Sequence, residues 1–114
     1  MKKFSLHEPK LYGNEKTNIK QCLDTGWLSP SGNFVKKFEN QLEEFTNTNV
    51  ICCNSGTSAL HISLILAGVK PKDEVIVPTI TFIATVNVVM YCGANPVFID
   101  CNESLCVDVD KLLD

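Results

Sequence analysis

Three small residues, Ser55, Gly56 and Thr57, stand between a short apolar segment and a helical pattern. Where a strand turns into a helix, the first backbone N–H groups have no partner within the helix and lie at the positive end of its dipole, an arrangement that binds phosphate. The two hydroxyl groups can add hydrogen bonds, and the glycine lets the backbone approach a ligand closely. The same tripeptide is also typical of ordinary helix capping, so both interpretations stay open at this point.

Two well-known phosphate-binding loops do not fit this segment. A Walker loop is excluded because no Gly-Lys-Ser/Thr follows at the required spacing. A dinucleotide-binding turn would need further glycines, and Gly56 stands alone.

A second segment of interest, residues 78–85, also leads from a predicted strand into a predicted helix. Because the carboxyl ends of the strands form the ligand crevice of an open α/β sheet, we expect residues 54–57 and 78–82 to face one pocket. Phe82 offers a flat apolar face on which an aromatic ring could stack. Packing in the protein core is the alternative role for this side chain.

A third segment, residues 26–32, is too rich in proline, serine and glycine for regular structure, and it contains Trp27. A tryptophan in a polar loop can form the wall of a pocket. Equally, it can fill the space between the N-terminal helices and the sheet.

The elements that position these segments follow from periodicity and from breaker residues. The pattern predicts helices over residues 14–24, 33–45, 57–67 and 82–91, with the start of another after Asp108, and strands over residues 50–53, 74–77 and 96–100. Alternation of strands and helices from residue 50 predicts an α/β fold, a mostly parallel sheet covered by helices. We therefore expect an N-terminal helical segment over residues 1–49 and a partial α/β domain over residues 50–114.

Composition and charge exclude several functions. A net charge of −3 argues against the basic surface of a nucleic-acid-binding protein. The N-terminus lacks the apolar run of an export signal and no stretch is long enough to span a membrane, so a cytoplasmic location is expected. The six cysteines are then expected to be reduced, and their spacing does not predict a metal site. His7 and His61 are isolated, so no Ser-His-Asp or Cys-His arrangement can be assembled.

Taken together and in this order, the segments resemble the DegT/DnrJ-type (StrS-like) sugar aminotransferases. The resemblance covers nearly the whole chain and is carried by residues 26–29, 34–39, 54–61, 68–69, 73–78, 81–85, 91–94 and 96–100. Residues 6–9 and 13–15 are similar to the branch that supplies amino sugars for legionaminic acid and related surface polysaccharides.

The resemblance implies the N-terminal part of the large domain of a fold-type-I pyridoxal-phosphate enzyme. Such enzymes, commonly homodimers, transfer an amino group from glutamate to a nucleotide-linked keto sugar. By resemblance, Gly56 and Thr57, with Ser55, would hold the cofactor phosphate, and Phe82 would stack on the pyridine ring. Trp27 and Ser29 would contact the substrate.

The resemblance also implies that the Schiff-base lysine and the acid that pairs with the ring nitrogen lie beyond residue 114, since none of the ten lysines stands in the family's context for it. We therefore assign no catalytic residue and expect a truncated chain that is inactive alone. One alternative is a pyridoxal-phosphate-dependent sugar dehydratase of the same fold, in which a histidine replaces the lysine. Another is a non-catalytic remnant of a truncated or split gene.

Overall fold

The computed structural model describes residues 7–112, and the chain divides into two units, residues 1–50 and 51–114. The first unit contains helices α1 (Glu15–Thr25) and α2 (Asn33–Thr46). The second unit contains α3 (Gly56–Leu66), β1 (Glu74–Pro78), α4 (Ile83–Tyr91), β2 (Asn95–Ile99) and a 3₁₀ turn, Asp110–Leu112. The four complete predicted helices and the last two predicted strands are present, and no end differs from its prediction by more than one residue.

In the first unit, the helix ends follow from their sequence signals. Gly26 ends α1 in the left-handed conformation with φ 70°, and its N–H donates to the Leu23 carbonyl at 3.3 Å. Asn14 precedes α1 but makes no side-chain cap, and the Glu15 carboxylate accepts from the Gly13 N–H at 2.9 Å. Hydrogen bonds from its own backbone N–H and from that of Gly13 hold the pKa of Glu15 below its ordinary value.

The apolar stripe of α2 has the helical period that its sequence predicts, yet the stripe is not buried within the described residues. Phe38 is 54% exposed and Phe45 is 87% exposed. Periodicity therefore predicted the helix correctly, but it did not predict which part of the protein packs on the apolar stripe.

The second unit is built around a strand–helix–strand arrangement. β1 and β2 pair in parallel, in a register that runs from Glu74 opposite Asn95 to Pro78 opposite Ile99. Helix α4 packs on both strands, and α3 packs against α4. Val77, Val89 and Ala94 form the buried core, and Leu64 and Val69 pack against it. The predicted parallel pairing is confirmed.

The prediction of a buried strand over residues 50–53 is wrong. Residues 51–53 form no ladder, and Ile51 is 85% exposed. An extended segment becomes a strand when a neighbour accepts and donates its backbone hydrogen bonds. Within residues 7–112 the sheet consists of β1 and β2, and this segment is not one of its strands.

Past β2, the chain forms a hairpin that was not predicted, held by an antiparallel bridge between Cys101 and Val107. The Asp108 N–H donates to the Asp100 carbonyl at 3.0 Å. No α-helix follows Asp108 within the described residues. The predicted helix start is instead the short 3₁₀ turn, and residues 113–114 lie outside the described range.

Lys111 closes this hairpin by pairing with two acids. Its Nζ lies 2.6 Å from Asp100 Oδ2 and 3.7 Å from Asp108 Oδ2. The hydrogen bond from Lys111 holds the pKa of Asp100 below its ordinary value and raises the pKa of Lys111. All three side chains keep some solvent exposure, so the pairs bind the hairpin weakly.

Candidate functional site

The start of α3 has both filled and free backbone donors. Ser55 is the N-cap: its Oγ accepts from the Ser58 N–H at 3.2 Å and lies 3.0 Å from Ser58 Oγ. The Ala59 N–H donates to the Ser55 carbonyl at 3.1 Å. Among residues 7–112 the N–H groups of Gly56 and Thr57 have no acceptor, as expected for the first positions of a helix. Two amides and the Thr57 hydroxyl are thus available to an anion.

Gly56 is not required by the chain's own packing. A Cβ placed on this residue would meet no atom within 4 Å, and its φ lies outside the left-handed region. Both Ser55 and Gly56 are exposed, and Thr57 is half-buried. The side of Gly56 that a side chain would occupy is therefore open.

Phe82 occupies the N-cap position of α4, with φ −70° and ψ 138°. Its side chain is 79% exposed, so the alternative role in the core is wrong for the described part of the chain. Thr85 donates its N–H to the Phe82 carbonyl at 2.9 Å. Thr81 Oγ1 and Thr85 Oγ1 lie 3.0 Å apart, in hydrogen-bond contact.

The two helix starts lie on the same side of the second unit. The Lys72 N–H donates to the Gly93 carbonyl at 2.9 Å, which joins the loop after α3 to the loop after α4. Both helices thus end at the amino edge of the strands that follow them. Since α3 packs against α4, both begin toward the opposite, carboxyl edge of the sheet. Residues 55–57 and Phe82 belong to that edge, where ligands bind in open α/β sheets.

Trp27 and Ser29 lie in the first unit. They line a groove of about 480 Å³ between the end of α1 and the start of α2, together with Cys22, Thr25, Phe34 and Val35. Trp27 is 56% exposed, and Ser29 Oγ accepts from the Ser31 N–H at 3.3 Å. Within this unit the tryptophan is the wall of a pocket.

The remaining candidate residues, His61 and Asp100, contact neighbouring side chains of the fold. His61 packs edge-on against Tyr91, with ring centroids 5.7 Å apart, and Asp100 pairs with Lys111. Residues 7–112 contain no group of acidic, histidine or cysteine side chains that could hold a metal ion. In that same range no helix is both long and apolar enough to cross a membrane.

One pair at the site was missed by sequence reasoning, namely Thr81 and Thr85. The signal was available: two threonines four residues apart, on either side of a helix start, can exchange a hydroxyl hydrogen bond. Which threonines can meet depends on the residue at which α4 begins, and the sequence does not fix that residue.

Comparison with known proteins places the chain in a family. The model of the DegT/DnrJ/EryC1/StrS aminotransferase family matches residues 9–113. A GDP-perosamine synthase from Caulobacter vibrioides is 44% identical over 99 residues, which are 86% of this chain and 27% of that protein. The chain thus spans about a quarter of the length of this curated relative.

Solved structures agree with this assignment. A DegT DnrJ EryC1 StrS aminotransferase from Brucella abortus superposes with a TM-score of 0.79 at 36% identity, over 86% of this chain and 26% of that one. NtdA from Bacillus subtilis, with bound cofactor PMP, superposes with a TM-score of 0.80 at 36% identity, over 86% of this chain and 23% of that one. The expected α/β fold is confirmed. The chain belongs to the DegT/DnrJ/EryC1/StrS aminotransferase family.

Proposed function

We propose that this chain is the N-terminal part of a pyridoxal-phosphate-dependent sugar aminotransferase and contributes the seat for the cofactor's phosphate and ring. One observation carries the proposal: two unpaired amides at the start of α3 lie on the same side of the unit as the exposed ring of Phe82. In this proposal Gly56 and Thr57 bind the phosphate, and Phe82 stacks on the pyridine ring.

The chemistry of these groups suits a phosphorylated aromatic compound. Backbone N–H groups and hydroxyls are the donors that a phosphate needs, and no carboxylate occurs in residues 55–58 to repel it. Ser55 supports the seat indirectly, because its Oγ is already the acceptor for the Ser58 N–H. An exposed aromatic face binds a second ring by offset stacking. When bound, the cofactor supplies the electron sink for amino-group chemistry, and the protein orients it.

For the substrate side, we propose that Trp27 and Ser29 contact a nucleotide-linked keto sugar, with glutamate as the amino donor. Support comes from the groove that they line and from the printed name of the Caulobacter relative, which indicates a GDP-linked sugar. The legionaminic-acid branch stays a prediction that rests on residues 6–9 and 13–15. Homodimer formation is likewise a proposal from the family.

Phe82→Leu tests the cofactor seat in the complete protein that carries this chain. Leucine keeps an apolar side chain and removes the ring, so affinity for pyridoxamine phosphate is expected to fall about tenfold, the equivalent of a typical stacking energy. Affinity for inorganic phosphate should not change, because the amides of α3 are untouched. Both affinities are measured by calorimetric titration.

Phe45→Leu is the matched control, since Phe45 is an equally exposed phenylalanine on α2. It should bind both ligands like the unmodified protein. If Phe82→Leu also does so, the ring does not lie on Phe82 and the proposed seat is wrong.

Substrate class is tested by incubating the complete protein with glutamate, cofactor and a panel of nucleotide-linked keto sugars. Formation of an amino sugar with stoichiometric 2-oxoglutarate supports the proposal, and the preferred sugar tests the branch. Loss of a sugar hydroxyl without amino transfer would instead indicate the dehydratase alternative.

A further inference from the structure

We infer that Thr81 and Thr85 are positioning residues for Phe82: the hydrogen bond between their hydroxyls fixes the backbone from which the stacking ring projects. This inference rests on the proposed function of Phe82. It concerns two residues to which the proposed function gives no role.

The start of α4 lacks the usual side-chain cap. Phe82 stands at the N-cap, where serine, threonine, aspartate or asparagine would ordinarily accept a backbone hydrogen bond, and its side chain has no atom that can do so. The residues on either side supply a different link. Thr81, just before the N-cap, and Thr85, in the first turn, meet through Oγ1 atoms 3.0 Å apart.

A second bond ties the same turn. The Thr85 N–H donates to the Phe82 carbonyl at 2.9 Å. Two bonds therefore restrain the backbone at residue 82. One joins the Phe82 carbonyl to the Thr85 N–H, and the other joins the hydroxyl groups of Thr81 and Thr85, which lie on either side of Phe82 in the sequence. Both threonines are β-branched and have few χ1 rotamers, so the bridge joins two stiff side chains.

The exposed ring needs this backbone restraint because little else orients it. With 79% of Phe82 exposed, core packing does not hold the side chain in the described part of the chain. A freely moving ring loses conformational entropy when a ligand stacks on it, and that loss weakens binding. Fixing the backbone at residue 82 removes part of the loss before the ligand arrives.

Thr85→Val and Thr81→Val test the inference in the complete protein. Valine keeps the branched shape and removes the hydroxyl. The loss of one hydrogen bond is expected to weaken pyridoxamine phosphate binding about three- to tenfold, whereas inorganic phosphate binding stays unchanged. Thr85→Ser retains the hydroxyl. Compared with Thr85→Val, it should restore most of the affinity for pyridoxamine phosphate and the circular dichroism signal of its bound pyridine ring.

Thr48→Val is the matched control, because Thr48 Oγ1 lies 2.9 Å from Thr46 Oγ1 in a similar exposed pair of the first unit. It should leave both affinities unchanged. If Thr85→Val weakens both ligands equally, the bridge only stabilises the fold and the inference is wrong. If both valine variants bind pyridoxamine phosphate normally while Phe82→Leu does not, the inference fails and the proposed function stands. Normal binding by Phe82→Leu overturns both.

Discussion

Gly56 has neither a left-handed backbone nor a neighbouring atom within 4 Å of the position that a Cβ would take. Gly93 needs its left-handed backbone, with φ 72°, and lies against Pro71, whereas Gly56 has neither constraint. The structure therefore gives no packing reason for a glycine at position 56, in keeping with the proposal that a phosphate approaches the backbone there.

Gly56→Val is expected to abolish phosphate recognition without unfolding the protein. The Cβ of the new side chain meets no protein atom within 4 Å, and its two methyl groups are expected to crowd a phosphate at the free amides. Affinity for inorganic phosphate and for pyridoxamine phosphate should therefore both fall more than about tenfold. The thermal unfolding midpoint should change little. Calorimetry and thermal scans check the two effects, and unchanged phosphate affinity would place the anion elsewhere.

At this scale the sequence predicts well where chemistry depends on residue type and local turn. It placed Ser55, Gly56 and Thr57 at a helix start, and the structure shows that start at Gly56. It did not predict the Thr81–Thr85 bond, which depends on the rotamers of two hydroxyls around a helix boundary. A boundary that shifts by one residue changes which side chains can meet.

Among the elements, the loops after α3 and α4 show how glycine and packing combine. Gly68 and Gly93 both end a helix with positive φ, of 85° and 72°. A Cβ at Gly68 would meet nothing within 4 Å, whereas one at Gly93 would lie 3.3 Å from Pro71 Cβ.

Comparison of Gly68→Ala with Gly93→Ala separates backbone strain from crowding. The first is expected to lower the free energy of unfolding by about 1 kcal/mol through strain alone. The second should cost about 1 kcal/mol more, because Pro71 must move. Urea titration measures both. Equal losses would show that the Pro71 loop adjusts freely.

The hairpin after β2 should weaken in acid. The pKa of Asp100 lies below its ordinary 3.8 because Lys111 donates to it. Its stabilising contribution is therefore complete above the unfolded pKa and is lost as the pH falls through the lower, folded value. NMR signals of residues 100–108 should report opening below about pH 4.

Asp100→Asn serves as the control for that titration. It should remove most of the acid-dependent step and reduce the sensitivity to added salt, because only the longer contact between Lys111 and Asp108, 3.7 Å, remains. A variant that titrates like the original would assign the step to another carboxylate.

Residues 50–53 show the limit of reading elements from local pattern. Their unbroken apolar run has the character of a buried strand, but a strand depends on a partner that local sequence does not contain. The paired strands β1 and β2 were predicted because the intervening helix sets their spacing. The hairpin bridge between Cys101 and Val107 was missed because its left-handed residue is Leu105, with φ 60°, and not a glycine. The turn signal that was available is Asn102, whose Oδ1 accepts from the N–H groups of Ser104 and Cys106.

For the whole molecule, the described residues bury little apolar surface. Val77, Val88, Val89 and Ala94 are buried, while large side chains such as Ile51, Leu66 and Phe45 are more than 80% exposed. So many exposed large apolar side chains are typical of surfaces that contact other polypeptide. What covers these residues could not be predicted from the 114 residues, because burial is a property of the complete assembly.

The 114-residue chain, expressed alone, is expected to bind a hydrophobic dye such as ANS and to show no amino transfer. The dye reports the exposed apolar side chains. Activity is expected to be absent because the resemblance to the family implies that the lysine for covalent cofactor attachment is not among the ten of this chain. A borohydride-reducible adduct at one lysine, together with measurable amino transfer from glutamate, would contradict this expectation.

The bond from the Lys72 N–H to the Gly93 carbonyl has a mechanical consequence. It fastens the trailing ends of α3 and α4 to each other, and a second bond, from Asn95 to the Asp73 carbonyl, adds to it at 2.7 Å. If the two helices rock against each other, the pivot lies at this fastening. Displacement would then grow with distance from the pivot and would be largest between Gly56 and Phe82.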